Sequence, residues 1–363
     1  MTPLEAEIRQ KITAQGPISV ADYMELCLGD PVHGYYMTRD PFGVRGDFVT
    51  APEISQMFGE LIGLWAVGVW QMMPSPGAVH LVELGPGRGT LMADALRAAS
   101  TVPAFREAVS VHLVEMSPVM RKAQEAALSG CTLPVQWHEG EDDLPWAPCI
   151  IIANEFFDAL PIHQAVKVAG GWQERRVGLD GDRLVFTLYP ELMWRRDDAL
   201  PPAMRGAATG SVFEWRAEHN WILCRVATRA ARFGAALVID YGHAETGIGD
   251  TLQAVAAHRF VDPLAAPGEA DLTAHIDFQA VREVAARQGA RVHGPLSQGE
   301  FLRRLGIEER ARKLKAPATA AQAEEIDAAL ARLTASGPTG MGDLFKVMAF
   351  SHPRLGVLPG FDG

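Results

Sequence analysis

The chain has 363 residues, 48% of them hydrophobic and 21% charged, proportions that exclude a disordered chain and predict a substantial buried core. The length suits one large domain with insertions, or two domains. A formal net charge of −11 repels phosphate backbones, so no nucleic-acid partner is expected; it suits instead a solubilised surface or a cleft for a basic protein segment.

The opening Met-Thr-Pro-Leu-Glu-Ala-Glu carries acids where a secretory signal carries positive charge, and it lacks the Arg-rich character of a transit peptide. The expected location is therefore cytoplasmic. Cys27, Cys131, Cys149 and Cys224 form no CxxC pair, which suits a reducing compartment and no metal site. Residues 3–28 read as helices interrupted at Gly16-Pro17. A loop rich in Gly, Pro and aromatics follows, containing Tyr35, Tyr36 and Asp47. Thr50-Ala-Pro-Glu53 reads as a capping box that opens a largely buried helix through about Met73. The most apolar stretch, Leu61 to Trp70, is too short for a bilayer, so no membrane insertion is expected.

Short apolar runs then alternate with helical stretches. Strands are expected at Val79–Leu84, Val111–Glu115, Pro134–Trp137 and Cys149–Ala153, with helices from Gly89 to about Ala99 and over Pro118–Leu128. That alternation predicts a parallel sheet whose carboxyl ends share one ligand-binding edge. Ile162 to Leu188 changes rhythm, and the Gly170-Gly171 and Asp180-Gly181 turns predict a three-stranded meander. Helical spacing returns at Ile222, Val226, Ala230 and Phe233, before a fifth core strand at Ala236–Asp240. A helix at Phe278, Val281 and Ala285, a charged Ala-rich helical segment over 297–335, and a strand at Leu344–Phe350 complete the reading. The resulting division places an N-terminal helical region at 1–75 and the core at 76–160, 216–245 and 278–363. Substrate-side insertions fill 161–215 and 246–277.

Val82-Glu-Leu-Gly85-Pro-Gly87-Arg-Gly89 sits where a strand meets a helix. Glycines there permit unusual backbone angles, and the helix start presents free N–H groups. A G-x-G-x-x-G dinucleotide turn competes with this reading. The G-x-G-x-G spacing, with Glu83 two positions before the first glycine, resembles class I methyltransferases, in which that acid acts near the amino-acid end of S-adenosyl-L-methionine. Glu115, ending the second strand, has the character of an acceptor for ribose hydroxyls, a device dinucleotide enzymes share. Glu139 ends the third strand within reach of an adenine amino group, with Met116 or Trp137 to pack on the ring; core packing of Trp137 is an equal alternative.

The fourth strand ends Asn154-Glu155-Phe156-Phe157-Asp158. Its Asn-x-x-Phe resembles the Asn-Pro-Pro-Tyr/Phe motif of amino-group methyltransferases, in which an amide and a carbonyl position an acceptor nitrogen. Glu155 or Asp158 suits a guanidinium, while helix capping by Asp158 is an equal alternative. For His243, His258 and His275 structural roles are expected, and for the Arg225, Arg229, Arg232 stripe a solvated face.

Five motifs in order, 46–59, 82–89, 153–161, Val238-Ile-Asp-Tyr-Gly-His243 and Asp271–Phe278, resemble the MidA-like methyltransferases, bacterial relatives of the mitochondrial complex I assembly factor that methylates an arginine. The resemblance spans nearly the whole chain. It implies a class I S-adenosylmethionine-dependent methyltransferase, Rossmann-like with a mostly parallel sheet, N-terminal helices and a substrate-side insertion. The implied substrate is a protein arginine on an NADH dehydrogenase subunit. Glu83, Gly85, Gly87, Gly89 and Glu115 match the cofactor motif. Asp47, Thr50, Glu53 and Ser55 match the N-terminal signature, where Thr50 and Ser55 are expected on the cofactor and Asp47 and Glu53 on the substrate pocket. Asn154, Glu155, Asp158, Asp240, Tyr241, Asp271 and Asp277 match motifs implied to line the acceptor pocket, with Tyr35 beside them. The rival expectations are a small-molecule methyltransferase, an assembly chaperone holding the cofactor as a structural ligand, and a dehydrogenase.

Overall fold

The computed structural model describes residues 1–41, 50–73, 76–194, 200–216, 220–337 and 340–362. Contacts divide the chain into two compact units: Met1–Phe48, Asp158–Asn220 and Glu245–Gln279 form one, and Val49–Phe157, Trp221–Ala244 and Ala280–Gly363 the other.

The second unit is built on a sheet of β1 (Val79–Leu84), β2 (Val109–Val114), β3 (Val135–His138), β4 (Cys149–Asn154), β5 (Gly234–His243), β6 (Arg291–Ser297) and β7 (Phe345–Ser351). Their order is β3-β2-β1-β4-β5-β7-β6. The first five are mutually parallel, while β7 runs antiparallel to both its neighbours. Every residue of β4 is buried, as a parallel strand covered on both faces requires, which accounts for its Ile150-Ile151-Ile152 run. A dinucleotide-binding sheet orders its strands 3-2-1-4-5-6. Here the antiparallel β7 lies between β5 and β6, which departs from that pattern. The order reverses between β1 and β4, so the switch-point crevice falls where Gly85 and Glu155 follow those strands.

Helix Gln56–Met72 packs on helix Thr90–Ala99 through a small-residue face: a β-carbon added at Gly63 would collide with the backbone of Ala95. Buried residues from this helix and from the sheet, among them Phe58, Trp65, Leu81, Ile150, Leu237 and Val347, share one core.

The other unit has a sheet ordered Ile18–Ser19, Gly171–Asp180, His163–Val168 and Val212–Trp215, with Arg183–Trp194 also paired to Gly171–Asp180. The expected meander is thus present, joined by strands at Ile18–Ser19 and Val212–Trp215 that periodicity did not signal. Gln253–Ala256, Arg259–Val261 and Asp271–Thr273 form a smaller sheet. Helices Pro3–Gln15 and Val20–Gly29 bury Leu4, Ile8, Tyr23 and Met24 in this unit's core.

The helical segment expected over 297–335 is present as three helices, Gln298–Arg304, Ile307–Lys315 and Ala320–Thr334, the first two separated at Gly306, which is left-handed at φ 89°. Two local expectations need correction. Thr50 makes no side-chain cap, and the predicted helix is interrupted: a turn at Ala51–Ile54 ends at Ser55, whose hydroxyl caps Gln56–Met72 by accepting from Met57 N at 3.2 Å. Arg229 is not solvated. It is buried beneath Trp146, 4.3 Å from that ring, and donates to the carbonyls of Glu141, Leu144 and Pro145.

Candidate active site

The turn after β1 is left-handed at all three glycines, with φ of 59° at Gly85, 52° at Gly87 and 82° at Gly89. Gly85 is also crowded: a β-carbon there would stand 2.8 Å from Cδ2 of Phe156. Gly89 ends the turn as the N-cap of helix Thr90–Ala99, exposing that helix's first N–H groups at the crevice edge.

Glu83, on β1, is buried, and its Oε2 has no hydrogen-bond partner among the described residues. Burial, reinforced by the Glu115 charge, pushes its carboxyl up to about 8. Such a group fits a cationic donor, which would hold it ionised. Glu115, following β2, is also buried and raised by burial. Its Oε1 accepts from Ser117 N at 2.8 Å and its Oε2 from Gln124 Nε2 at 3.1 Å. Two carboxylate oxygens offer about four lone-pair sites, so acceptor capacity remains for hydroxyl donors. Met116 beside it is 57% exposed, leaving an adaptable thioether free to pack on a ring. Glu139, beyond β3, is exposed. Trp137 is partly buried and packs against the core, and its Nε1 donates to Gln124 Oε1 at 3.0 Å.

Glu53, expected at the substrate pocket, reaches the glycine turn instead. Its carboxylate accepts from the Thr90 hydroxyl at 2.5 Å and lies 3.5 Å from Arg88 Nη1. Thr50 is buried, and its carbonyl accepts from Glu53 N at 3.0 Å. Ser55 spends its hydroxyl on the helix cap.

At the end of β4, Glu155 takes the left-handed φ of 50°, unusual for a residue with a β-carbon and a mark of local strain. Its N–H is held by the Ile239 carbonyl at 2.9 Å. Its Oε1 accepts from Ala51 N at 3.1 Å and from Asn154 Nδ2 at 3.2 Å. Asn154 is buried, and its Oδ1 has no partner among the described residues. Asp240 at the end of β5 is buried and accepts backbone N–H groups from Phe157 and Tyr241. The Tyr241 ring meets Phe345 edge-on, 5.5 Å between centroids.

The remaining expected residues lie in the other unit. Asp158 is buried; its Oδ1 accepts from Ala159 N at 2.9 Å within a turn, so it caps no helix. Asp271, also buried, accepts from the Tyr36 hydroxyl at 2.6 Å; burial and then Asp271 raise that phenol well above its ordinary range. Tyr35 is buried edge-on against Tyr36. Asp277 accepts from the Thr246 hydroxyl at 2.7 Å. Ala257 and His258 are both left-handed between Gln253–Ala256 and Arg259–Val261, so His258 is a hairpin-turn residue. Asp47 lies outside the described residues.

Comparison with known proteins agrees with this geometry. The family described as "Putative S-adenosyl-L-methionine-dependent methyltransferase" matches residues 61–296. The protein arginine methyltransferase NDUFAF7 homolog, mitochondrial, of Drosophila melanogaster is 40% identical over 95% of this chain and 84% of its own. Human protein arginine methyltransferase NDUFAF7, mitochondrial, is 37% identical over 86% of this chain and 76% of its own. A crystal structure described as a "likely methyl transferase from Burkholderia thailandensis bound to S-adenosyl-homocysteine" matches with TM-score 0.86 and 31% identity, over 99% of this chain and 94% of that one. The chain belongs to this methyltransferase family.

It is an S-adenosyl-L-methionine-dependent enzyme, and the residues at the ends of β1 and β2 fit that cofactor. The glycine turn leaves room for close approach, the unsatisfied Glu83 carboxyl suits an ammonium, and Glu115 suits vicinal hydroxyls. When bound, the cofactor supplies a methyl carbon on a sulfonium sulfur, open to displacement by a nucleophile. The chain's own contribution is orientation: Asp240 and the Ile239 carbonyl fix the turn that carries Asn154 and Glu155. Sequence reasoning missed Gln124, because a glutamine inside a helix carries no pattern signal until its partners are known.

Proposed function

We propose that the enzyme transfers the methyl group to a guanidinium nitrogen of a protein arginine, on an NADH dehydrogenase subunit. The observation that carries this reading is the strained Asn154-Glu155 turn at the switch-point crevice. It presents a buried amide oxygen that has no donor among the described residues, beside a carboxylate, both acceptors for N–H groups. A guanidinium offers five N–H donors in a planar fork, which suits such a pair of acceptors. The names of the Drosophila and human relatives support arginine as the acceptor, and the resemblance to the MidA-like methyltransferases supports the NADH dehydrogenase subunit. A cytoplasmic site of action is part of the proposal, supported by four free cysteines.

The test is incubation of the enzyme and S-adenosyl-L-methionine with purified NADH dehydrogenase subunits, read by mass spectrometry of arginine peptides. A methyl mass shift on one arginine, lost in Asn154→Ala, is expected. An Asn154→Ala protein that keeps cofactor binding and still supports its partner fully would favour the chaperone reading and overturn this one.

A further inference from the structure

The cofactor-site residues of the second unit are joined through a side chain that belongs to neither the glycine turn nor the acidic strand end. Gln124, fully buried on helix Pro118–Ala127, uses both hydrogens of its amide nitrogen. One goes to the Gly87 carbonyl at 2.8 Å, the other to Glu115 Oε2 at 3.1 Å. Its amide oxygen accepts from Trp137 Nε1 at 3.0 Å. A flipped amide would set its oxygen against two acceptors and its nitrogen against an indole donor, so only one orientation satisfies all three partners. Trp137 therefore selects that orientation, and Gln124 transmits it to the two segments that grip opposite parts of the cofactor.

We propose that Gln124 is a positioning residue for cofactor binding: it fixes the separation of the Gly87 turn from the Glu115 carboxylate, with Trp137 holding its amide in register. The backbone joins the two segments at their bases, where Gly85 N donates to the Val114 carbonyl at 3.0 Å, and the Gln124 amide adds a link further out, between Gly87 and the Glu115 carboxylate. Gly87 sits in a left-handed turn whose carbonyl accepts from Gln124, and besides Gln124 the Glu115 carboxylate accepts main-chain N–H groups, those of Ser117 and Met116. Helix Pro118–Ala127 is itself anchored next to Glu115 by Ser117, which caps it. This proposal rests on the cofactor site alone and stands whatever the methyl acceptor proves to be.

The test is calorimetric titration of S-adenosylhomocysteine into wild type, Gln124→Glu, Trp137→Phe and Leu302→Ala, with a melting curve for each. Leu302 is a buried core residue on helix Gln298–Arg304 and reports what loss of stability alone does to affinity. Above about pH 9, Gln124→Glu sets a carboxylate against two acceptors, and its Kd is expected to rise roughly tenfold or more, the worth of a hydrogen bond to a charged group. At about pH 6, where burial and the Glu115 charge keep a proton on the new carboxyl, it can donate, and the ratio of its Kd to that of wild type is expected to shrink several-fold. Trp137→Phe, which keeps the ring and loses the donor, is expected to raise Kd by about twofold to fivefold. Leu302→Ala is expected to melt earlier with unchanged Kd. A Gln124→Glu protein that binds as wild type does, or whose loss is independent of pH and matched by Leu302→Ala, overturns the proposal. If Gln124→Glu does not fold, an unchanged Kd in Trp137→Phe overturns it equally.

Discussion

Asp240 accepts the backbone N–H of Phe157 on one carboxylate oxygen at 3.0 Å and that of Tyr241 on the other at 2.9 Å. Both oxygens are thus engaged by the main chain, which makes this acid a brace for the turn after β4. On the proposed reading of the site, its part is to hold Asn154 and Glu155 where a nitrogen can be aligned. Asp240→Asn keeps one acceptor and opposes an N–H₂ to the other N–H. Methyl transfer is expected to fall by roughly 10- to 100-fold, the cost of misplacing groups by about an ångström. Affinity for S-adenosylhomocysteine should stay within about twofold of wild type, since the glycine turn is untouched. Single-turnover assays beside calorimetry separate the two. An equal loss in both would mean that Asp240 supports the cofactor and not the acceptor turn.

Glu83 couples cofactor binding to pH. Its folded-state value, raised from 4.5 to about 8, means that the ligand-free protein retains a proton there which the unfolded chain has already released. Between those values the folded state binds more protons, so stability contributed by this group falls as pH rises. A cationic ammonium placed beside the carboxyl reverses the preference. Near neutral pH, binding is therefore expected to expel close to one proton per site, and affinity should strengthen as pH rises towards 8. Titrations in two buffers of different ionisation enthalpy measure the proton count. Glu83→Gln should bind weakly, with no proton release; release that persists in this variant would assign the titration to another group.

How much of this was legible in the sequence depended on whether a residue speaks through its neighbours in the chain. Gly85, Glu83 and Glu115 were readable because turn geometry and strand ends impose local residue choices. Five motifs in order further identified the family. Arg229 misled, because helical spacing of arginines looks the same whether the face meets water or, as here, the carbonyls of Glu141, Leu144 and Pro145. Thr50 and Glu53 matched a capping box in spacing, yet Thr90 and Arg88 outcompeted the local N–H for the Glu53 carboxylate. Gln124 was silent for the same reason: its partners Gly87 and Trp137 are joined to it only by tertiary packing.

Phe156 and Gly85 make the acceptor turn and the cofactor turn interdependent within the second unit. Gly85→Ala combines a left-handed φ of 59° with a methyl 2.8 Å from the Phe156 ring. The backbone penalty alone is about 1–2 kcal/mol. The collision adds to it, so a lower melting temperature and at least tenfold weaker S-adenosylhomocysteine binding are expected, a tenfold change being about 1.4 kcal/mol. In Gly85→Ala/Phe156→Ala the collision is gone and the backbone penalty remains, so the stability lost on going from Phe156→Ala to the double variant should be smaller than the loss from wild type to Gly85→Ala. Denaturation of all four proteins closes the cycle. Strict additivity would show that the ring yields freely and that the two turns are not coupled through it.

His80, His112 and His138 line up across β1, β2 and β3. The rings of His80 and His112 stack at 4.2 Å, and His112 Nδ1 lies 2.9 Å from His138 Nε2. Burial is the largest influence on all three and lowers each. For His112, with His80 and His138 adding repulsion, the result is about 4. Arg229 further opposes protonation of His80, and Arg121 and Arg229 oppose that of His138, against which Asp143 acts in the other direction. A depressed folded value means that the unfolded chain takes up protons first as pH falls, so stability is lost from about 6.5 down through 4. The two neighbouring imidazoles sharing one hydrogen bond require one donor and one acceptor nitrogen, an arrangement that protonation of both destroys. Replacing His112 with Phe keeps a ring between the strands and removes the titration. The variant is expected to lose stability at neutral pH, where the Ser110 and His138 partners are forfeited. It should nevertheless show a shallower decline between pH 6.5 and 4 than wild type. Melting temperatures collected across that interval decide it: parallel pH profiles for the two proteins would place the acid sensitivity outside the histidine row.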